Sequence, residues 1–223
     1  MRRRRFLRSV GATGAAGGLA GLAGCVGTFG GNPNTTLGKP SGPGADGDYP
    51  YPTWGEEMPD VRFQNPLAGE AVSLADTGRP TFVTFFFTNC MTVCPGLIGA
   101  LRNVQTDAVN EGYADAVRFL PVTFDPERDD GERFRAYAEK MNVSLDAGDW
   151  RFLRPESVAA AEEKINGNFG IGFEKQPAED GNYMYNHLAL VLLVNGEGYV
   201  ERAYTGPSPN PTTFVEDLAK LRK

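Results

Sequence analysis

Pro80-Thr81-Phe82-Val83-Thr84-Phe85-Phe86-Phe87 runs directly into Thr88-Asn89-Cys90-Met91-Thr92-Val93-Cys94-Pro95, and the fold is read outward from that junction. The first half is apolar throughout, rich in aromatic and β-branched residues, and short. Those features predict a strand buried on both faces. Beyond the second cysteine, Leu97, Leu101, Val104, Ala108 and Val109 recur at helical spacing, which predicts a helix over residues 96–111. Pro95 suits its first turn, where a missing N–H removes no bond.

On either side the pattern continues. A hairpin is expected around residues 61–63 and 71–74, with Leu67-Ala68-Gly69-Glu70 as its turn. Residues 117–124 read as a second buried strand and 131–141 as a helix with Phe134 and Tyr137 inward. Residues 150–153 read as a short strand, followed by a helix over 157–165 with Pro155 in its opening turn. His187 then begins an apolar run, residues 187–194, predicted as another buried strand. Asn195-Gly196 is a hairpin signal leading into residues 199–204, and residues 211–221 close the chain as a helix. Strands alternating with helices predict an α/β layered sheet. Strand, cysteine-bearing loop and helix in that order is the arrangement of thioredoxin-like folds. The expectation is a central mixed sheet flanked by helices, with an N-terminal hairpin.

The 223 residues carry a net charge of −6. Residues 1–24 hold five arginines and no acid, so the remainder has 17 basic against 28 acidic residues, a net charge of −11. Only six of the basic residues are lysines. That balance excludes the basic footprint that nucleic-acid binding requires, so no nucleic-acid partner is expected. An acidic, lysine-poor surface resembles that of proteins from salt-loving archaea, and acidity also serves solubility.

Arg3-Arg4-Arg5-Phe6-Leu7, followed by an uncharged Gly/Ala/Leu/Thr stretch over residues 11–24, has the layout of a signal peptide. Paired arginines before Phe-Leu resemble the twin-arginine export signal. The segment is shorter than the ~20 apolar residues of a membrane span. Leu22-Ala23-Gly24-Cys25 resembles a lipobox, which predicts Cys25 as a lipidated N-terminus. Residues 25–50, rich in Gly, Pro, Asn and Thr, read as a flexible tether, and residues 51–223 as the folded domain. The expected location is outside the cell, anchored to the outer face of the cytoplasmic membrane through that lipid. Asn34-Thr35-Thr36 and Asn142-Val143-Ser144 match the glycosylation sequon.

With Cys25 assigned to the anchor, Cys90, Cys94 and His187 are the soft ligands left besides five methionines. Two thiolates and an imidazole suit copper(I) or zinc. Cysteines at a helix N-terminus gain thiolate character from free N–H groups and the helix dipole, and positions four apart share one helical face. A lone histidine at a strand start is more often structural than ligating. Here it is the sole histidine, and two thiols need a partner, which favours the ligand role. Met91 fits weak thioether contact less well than simple exposure. A structural disulfide between Cys90 and Cys94 would close a short loop, the least effective constraint on an unfolded chain. A thiol–disulfide oxidoreductase using Cys90 and Cys94 is the alternative function. Its usual Cys-x2-Cys spacing and its proline before the late strand are both missing. A peroxidase reading rests on fold analogy and Thr88 alone.

Phe85-Phe86-Phe87-Thr88-Asn89-Cys90 with Cys94-Pro95, Pro121-Val122-Thr123-Phe124-Asp125-Pro126-Glu127-Arg128-Asp129, and Tyr185-Asn186-His187 before the apolar run and Asn195-Gly196-Glu197-Gly198 occur in the order seen in the Sco/SenC family. Over most of residues 57–222 the chain resembles that family of copper-binding, thioredoxin-fold proteins of cytochrome c oxidase assembly. The resemblance implies that Cys90, Cys94 and His187 bind one copper, as Cu(I) or Cu(II). It implies delivery of that copper to the copper-accepting subunit of a terminal oxidase, or reduction of that centre's cysteines. The charged loop at residues 125–130 is expected only to cap the following helix. The chain departs from the family pattern at Met91 and Thr92, where proline and often an acid follow the first cysteine. It departs again at Asn186, commonly aspartate, and at Leu188, often a small hydroxyl residue. These changes make the site less negative and predict a shifted copper affinity or redox preference.

Overall fold

β3 (Thr81–Phe86), the strand predicted from the aromatic run, lies at the centre of a five-stranded sheet. Its neighbours are β4 (Arg118–Thr123), which runs parallel to it, and β8 (Leu190–Val194), which runs antiparallel. β5 (Asp149–Trp150) and β9 (Val200–Thr205) complete the order β5-β4-β3-β8-β9. The computed structural model describes residues 32–42, 45–177 and 183–222. Outside the sheet, β1 (Arg62–Asn65) and β2 (Glu70–Ser73) form the expected N-terminal hairpin. The whole is a thioredoxin-like α/β fold, a mixed sheet flanked by helices.

The burial of all six residues of β3 follows from its two covered faces. Phe82 and Phe86 point to one side, Phe82 onto Phe214 of α5 (Pro211–Leu221) and Phe86 onto Phe134 and Tyr137 of α2 (Gly131–Met141). Phe85 points to the other side and meets Phe169 at 4.8 Å between ring centroids. α1 (Cys94–Asn110) buries Leu97, Leu101, Val104 and Ala108 as the periodicity predicts, whereas Val109 turns outward at 47% exposure. Asp130 caps α2, accepting from the Arg133 N–H at 2.8 Å.

Several expectations are corrected. Pro155 precedes its helix, which opens instead at the Ser157 cap of α3 (Val158–Ala161). The same helical path continues through a π turn over Glu162–Asn166 into α4 (Gly167–Phe169). It stops at Gly170, whose φ of 57° and contact with Pro50 leave no room for a Cβ. The strand predicted at residues 150–153 is two residues of β5 plus a single bridge between Val122 and Leu153. His187 does not begin β8. It lies in the connection after an unforeseen hairpin, β6 (Glu174–Pro177) paired with β7 (Tyr183–Asn186). In the turn after β8, Gly198, not Gly196, carries the positive φ.

Part of the segment that composition reads as a tether is packed. Leu37 is buried, and its N–H and that of Thr36 each donate at 2.8 Å to the Glu201 carboxylate. Low apolar content hides such a case, because one leucine and backbone hydrogen bonds suffice to dock a few residues. The signal segment, Cys25 and the Leu22–Cys25 pattern fall outside the described residues. Among the described residues no helix is long and apolar enough to cross a membrane.

Candidate metal centre

Both parallel strands, β3 and β4, end at the same edge of the sheet, where loops from opposite directions meet and ligands collect in α/β folds. The Cys90 loop leaves β3 there and the acidic loop leaves β4. The connection carrying His187 enters β8 at the same edge.

Contrary to the expectation from their spacing, Cys90 and Cys94 do not share a helical turn. α1 begins at Cys94, and Cys90 sits in the loop before it, its N–H donating to the Phe87 carbonyl at 3.2 Å. The sulfurs converge because the Cys94 N–H donates to the Cys90 Sγ at 3.4 Å. The sulfur thus takes one of the orphan N–H groups of the helix start, where no side chain caps. Both cysteines are free and buried. Met91, between them, is 80% exposed.

His187 Nε2 stands 3.4 Å from the Cys94 Sγ. Its Nδ1 lies 3.0 Å from the Leu188 carbonyl, which can only accept, so Nδ1 carries the ring hydrogen. Nε2 therefore turns a lone pair toward the sulfurs, the arrangement a metal-ligating histidine needs. The ring rests on Phe124 at 4.8 Å, and Phe124 and Phe87 are held in turn by Tyr185. One ligand atom from each of Cys90, Cys94 and His187 lies within 4.8 Å of the others.

The two thiols differ electrostatically. The Cys94 thiol donating toward its sulfur holds Cys90 well below the usual thiol range. Burial pushes Cys94 well above it, and the neighbouring Cys90 sulfur adds to the shift. The two shifts run in opposite directions, so Cys90 gives up its proton more readily than Cys94, whose sulfur lies 3.4 Å from Nε2. Two sulfurs and a nitrogen are a donor set that fits copper(I) or zinc, and a soft metal ion held there would displace the thiol protons.

The acidic loop was expected to cap a helix and do nothing else. Asp130 does so, but Asp129 and Asp125 hold the loops that carry the ligands. Asp129, fully buried, accepts from the Thr88 N–H at 3.0 Å, from the Thr88 hydroxyl, and from the Thr123 hydroxyl at 2.5 Å. Thr88 is two residues before Cys90, so this carboxylate fixes the start of the cysteine loop. Asp125, also buried, accepts from the Tyr183 hydroxyl at 2.7 and 2.8 Å. Arg128 lies over the Tyr183 ring at 4.0 Å and Lys175 lies 3.7 Å from its centroid. Tyr183 opens β7, whose end delivers His187. The only trace of this in the sequence is two acids flanking Pro126-Glu127-Arg128; their partners Thr88 and Tyr183 are 41 and 58 residues away.

Comparison with known proteins gives a consistent match. The SCO1/SenC family model matches residues 66–223. A SCO1 protein homolog of Bacillus subtilis is 30% identical over 156 residues, spanning 70% of this chain and 77% of its own. A mitochondrial SCO2 homolog of Danio rerio is 26% identical over 148 residues, covering 66% of this chain and 50% of its own, so the chain spans about half of that relative. Among solved structures, a SCO1/SenC family lipoprotein from Bacillus anthracis superposes with a TM-score of 0.62 at 25% identity, over 77% of this chain and 96% of its own. BsSco, described with a disulfide switch and as a member of the Sco family of cytochrome c oxidase assembly proteins, gives 0.61 at 26%, over 77% and 95%. Bradyrhizobium japonicum ScoI, solved with copper bound, shares the fold with a TM-score of 0.59 at 24% identity, over 73% and 98%.

Proposed function

Because this chain belongs to the SCO1/SenC family, we propose that it carries one copper ion on Cys90, Cys94 and His187 and serves in assembly of the copper centre of a cytochrome c oxidase. The observation that carries this reading is the convergence of those three side chains, with the Nε2 lone pair turned toward the sulfurs. It is supported by relatives named for oxidase assembly and for bound copper. Copper(I) favours the two sulfurs, whereas copper(II) tolerates the nitrogen and a flatter site. Copper is cargo here: the residues bind it softly enough to release it to the accepting subunit. The Asp129 and Asp125 networks keep the three ligands together between loading and release. The domain works outside the cell, held to the outer face of the cytoplasmic membrane by a lipid on Cys25 after export through its arginine-rich leader.

A second reading, thiol–disulfide exchange, is favoured by one observation: both thiols are free and adjacent, with Cys90 held below the usual thiol range by its Cys94 neighbour. In that reaction the Cys90 thiolate attacks a target disulfide, Cys94 closes the new disulfide with Cys90, and the target leaves as a dithiol with the two electrons, one proton from Cys94 and one from water. A strain lacking the gene separates the two. Copper delivery predicts that oxidase activity is lost and is restored by the native protein but not by Cys94→Ser or His187→Ala. Full restoration by His187→Ala would refute delivery and leave thiol exchange.

A further inference from the structure

Three stretches of the chain, residues 80–101, 183–196 and 203–215, contain no Asp, Glu, Lys or Arg, although the whole carries 28 acidic and 22 basic residues. The fold joins all three beside the sulfurs. Cys94 of the first meets His187 of the second at 3.4 Å. The Gly206 N–H of the third donates to the Ala189 carbonyl of the second at 3.2 Å. Gly96 faces the Pro207 carbonyl so closely that a Cβ there would stand 2.5 Å from its oxygen, which seats the third stretch on the start of α1. Charge returns on the β4 side, where Glu127 and Asp130 are exposed.

Five large apolar side chains are exposed among the described residues. Two of them, Met91 at 80% and Leu188 at 37%, directly follow the candidate ligands Cys90 and His187. Neither belongs to the core or to the side chains packed on it. Exposed Thr92, Asn186 and Pro207 extend the same uncharged face. Single apolar side chains scattered over a surface need no explanation, but a pair flanking one site marks a contact surface. Both sulfurs are buried, so copper leaves them only when a receiving group reaches in and its protein covers this face. A charged rim on that protein would lose its water here and find no opposite charge to replace it.

We propose that this uncharged face, with Met91 and Leu188 as its anchors, is the docking surface for the copper-accepting protein, whose own ligands are surrounded by uncharged, apolar side chains. The proposal rests on the delivery role given above and names the chemistry of the partner. Docking then draws on apolar burial and not on charge steering, so it depends little on salt. The test follows copper(I) transfer from the full chain to the copper-accepting domain of the oxidase from the same organism. Second-order rates are measured at about 0.1 M and about 1 M salt. The native rate should change less than about threefold between them. Met91→Gln and Leu188→Gln should each slow transfer at least about fivefold. Met91→Leu, which keeps the apolar bulk and removes the thioether, should transfer at the native rate, and so should Glu127→Gln on the charged border. A rate that falls steeply with salt, or native rates in both glutamine variants, would overturn the docking surface while delivery stands. Equal slowing by Met91→Leu and Met91→Gln would make the thioether the working group and overturn the apolar anchor. No transfer from the native chain would remove the delivery role and the proposal with it. Sedimentation showing the native chain paired, with pairing lost in Met91→Gln, would give the face to a second copy and overturn the proposal.

Discussion

Replacing Asp129 with alanine tests whether the acidic loop holds the cysteine loop. The change leaves three buried donors without an acceptor: the Thr88 N–H, the Thr88 hydroxyl and the Thr123 hydroxyl. An unsatisfied buried donor costs about 1–3 kcal/mol. The hydroxyls can turn toward other carbonyls, but the backbone N–H cannot. Burial also pushes this carboxyl above its ordinary range, against the lowering effect of the Thr123 and Thr88 hydrogen bonds, so removing it relieves some cost. The balance is a loss of about 3 kcal/mol, a large share of a domain's usual 5–15 kcal/mol. The sign with pH follows from the raised folded value. The folded state holds its proton longer than the unfolded chain, so the carboxyl's titration stabilises at low pH and that part is lost as pH rises through 3.8 and beyond. The cost at pH 7 is therefore the smaller one. Urea unfolding of the reduced, metal-free protein at pH 7 measures it, with an unchanged m-value marking a stability change alone. Copper affinity should fall in parallel, because Thr88 leads into Cys90. A loss below about 1 kcal/mol, with affinity unchanged, would refute the reasoning.

Tyr183→Phe removes the hydroxyl that satisfies the buried Asp125, leaving that carboxylate with Arg128 at 3.9 Å. A loss of about 2 kcal/mol in urea unfolding is expected, together with weaker metal binding through His187. The thiols should titrate apart when followed by thiolate absorbance. A single thiolate per chain persists well below pH 9, and the second does not appear until well above it, because Cys90 is lowered and Cys94 raised from 9.0. For Cys90 the folded value lies below the unfolded one, so its contribution to stability is complete above pH 9 and is lost as pH falls through the folded value. Two thiols titrating together near pH 9 would contradict the paired arrangement.

The sequence made the central strand, α1 and the identity of the three candidate ligands readable because each rests on local signals. Those signals are an all-apolar run, helical spacing and a shortage of soft side chains. The reading misplaced His187 because a continuous apolar run does not report where pairing begins. His187, Leu188 and Ala189 precede the first strand residue, Leu190, and the Nδ1 contact with the Leu188 carbonyl aims the ring. The β6–β7 hairpin escaped notice because Glu174-Lys175-Gln176-Pro177 is polar and short, and its order comes from Tyr183 and Asp125 across the molecule. Asp129 looked like surface charge, since nothing near it in sequence shows that Thr88 and Thr123 enclose it. The clamp on residues 36 and 37 is still less visible, as its carboxylate comes 165 residues later. Long-range polar contacts of this kind carry no periodicity.

The central claim, that Cys90, Cys94 and His187 together hold one copper, is tested most directly by copper content and affinity of the reduced, purified protein beside His187→Ala. The account predicts about one copper per chain in the native protein, and an affinity at least roughly tenfold weaker in the variant with its fold intact. Equal copper retention by both proteins, or none by either, would contradict it.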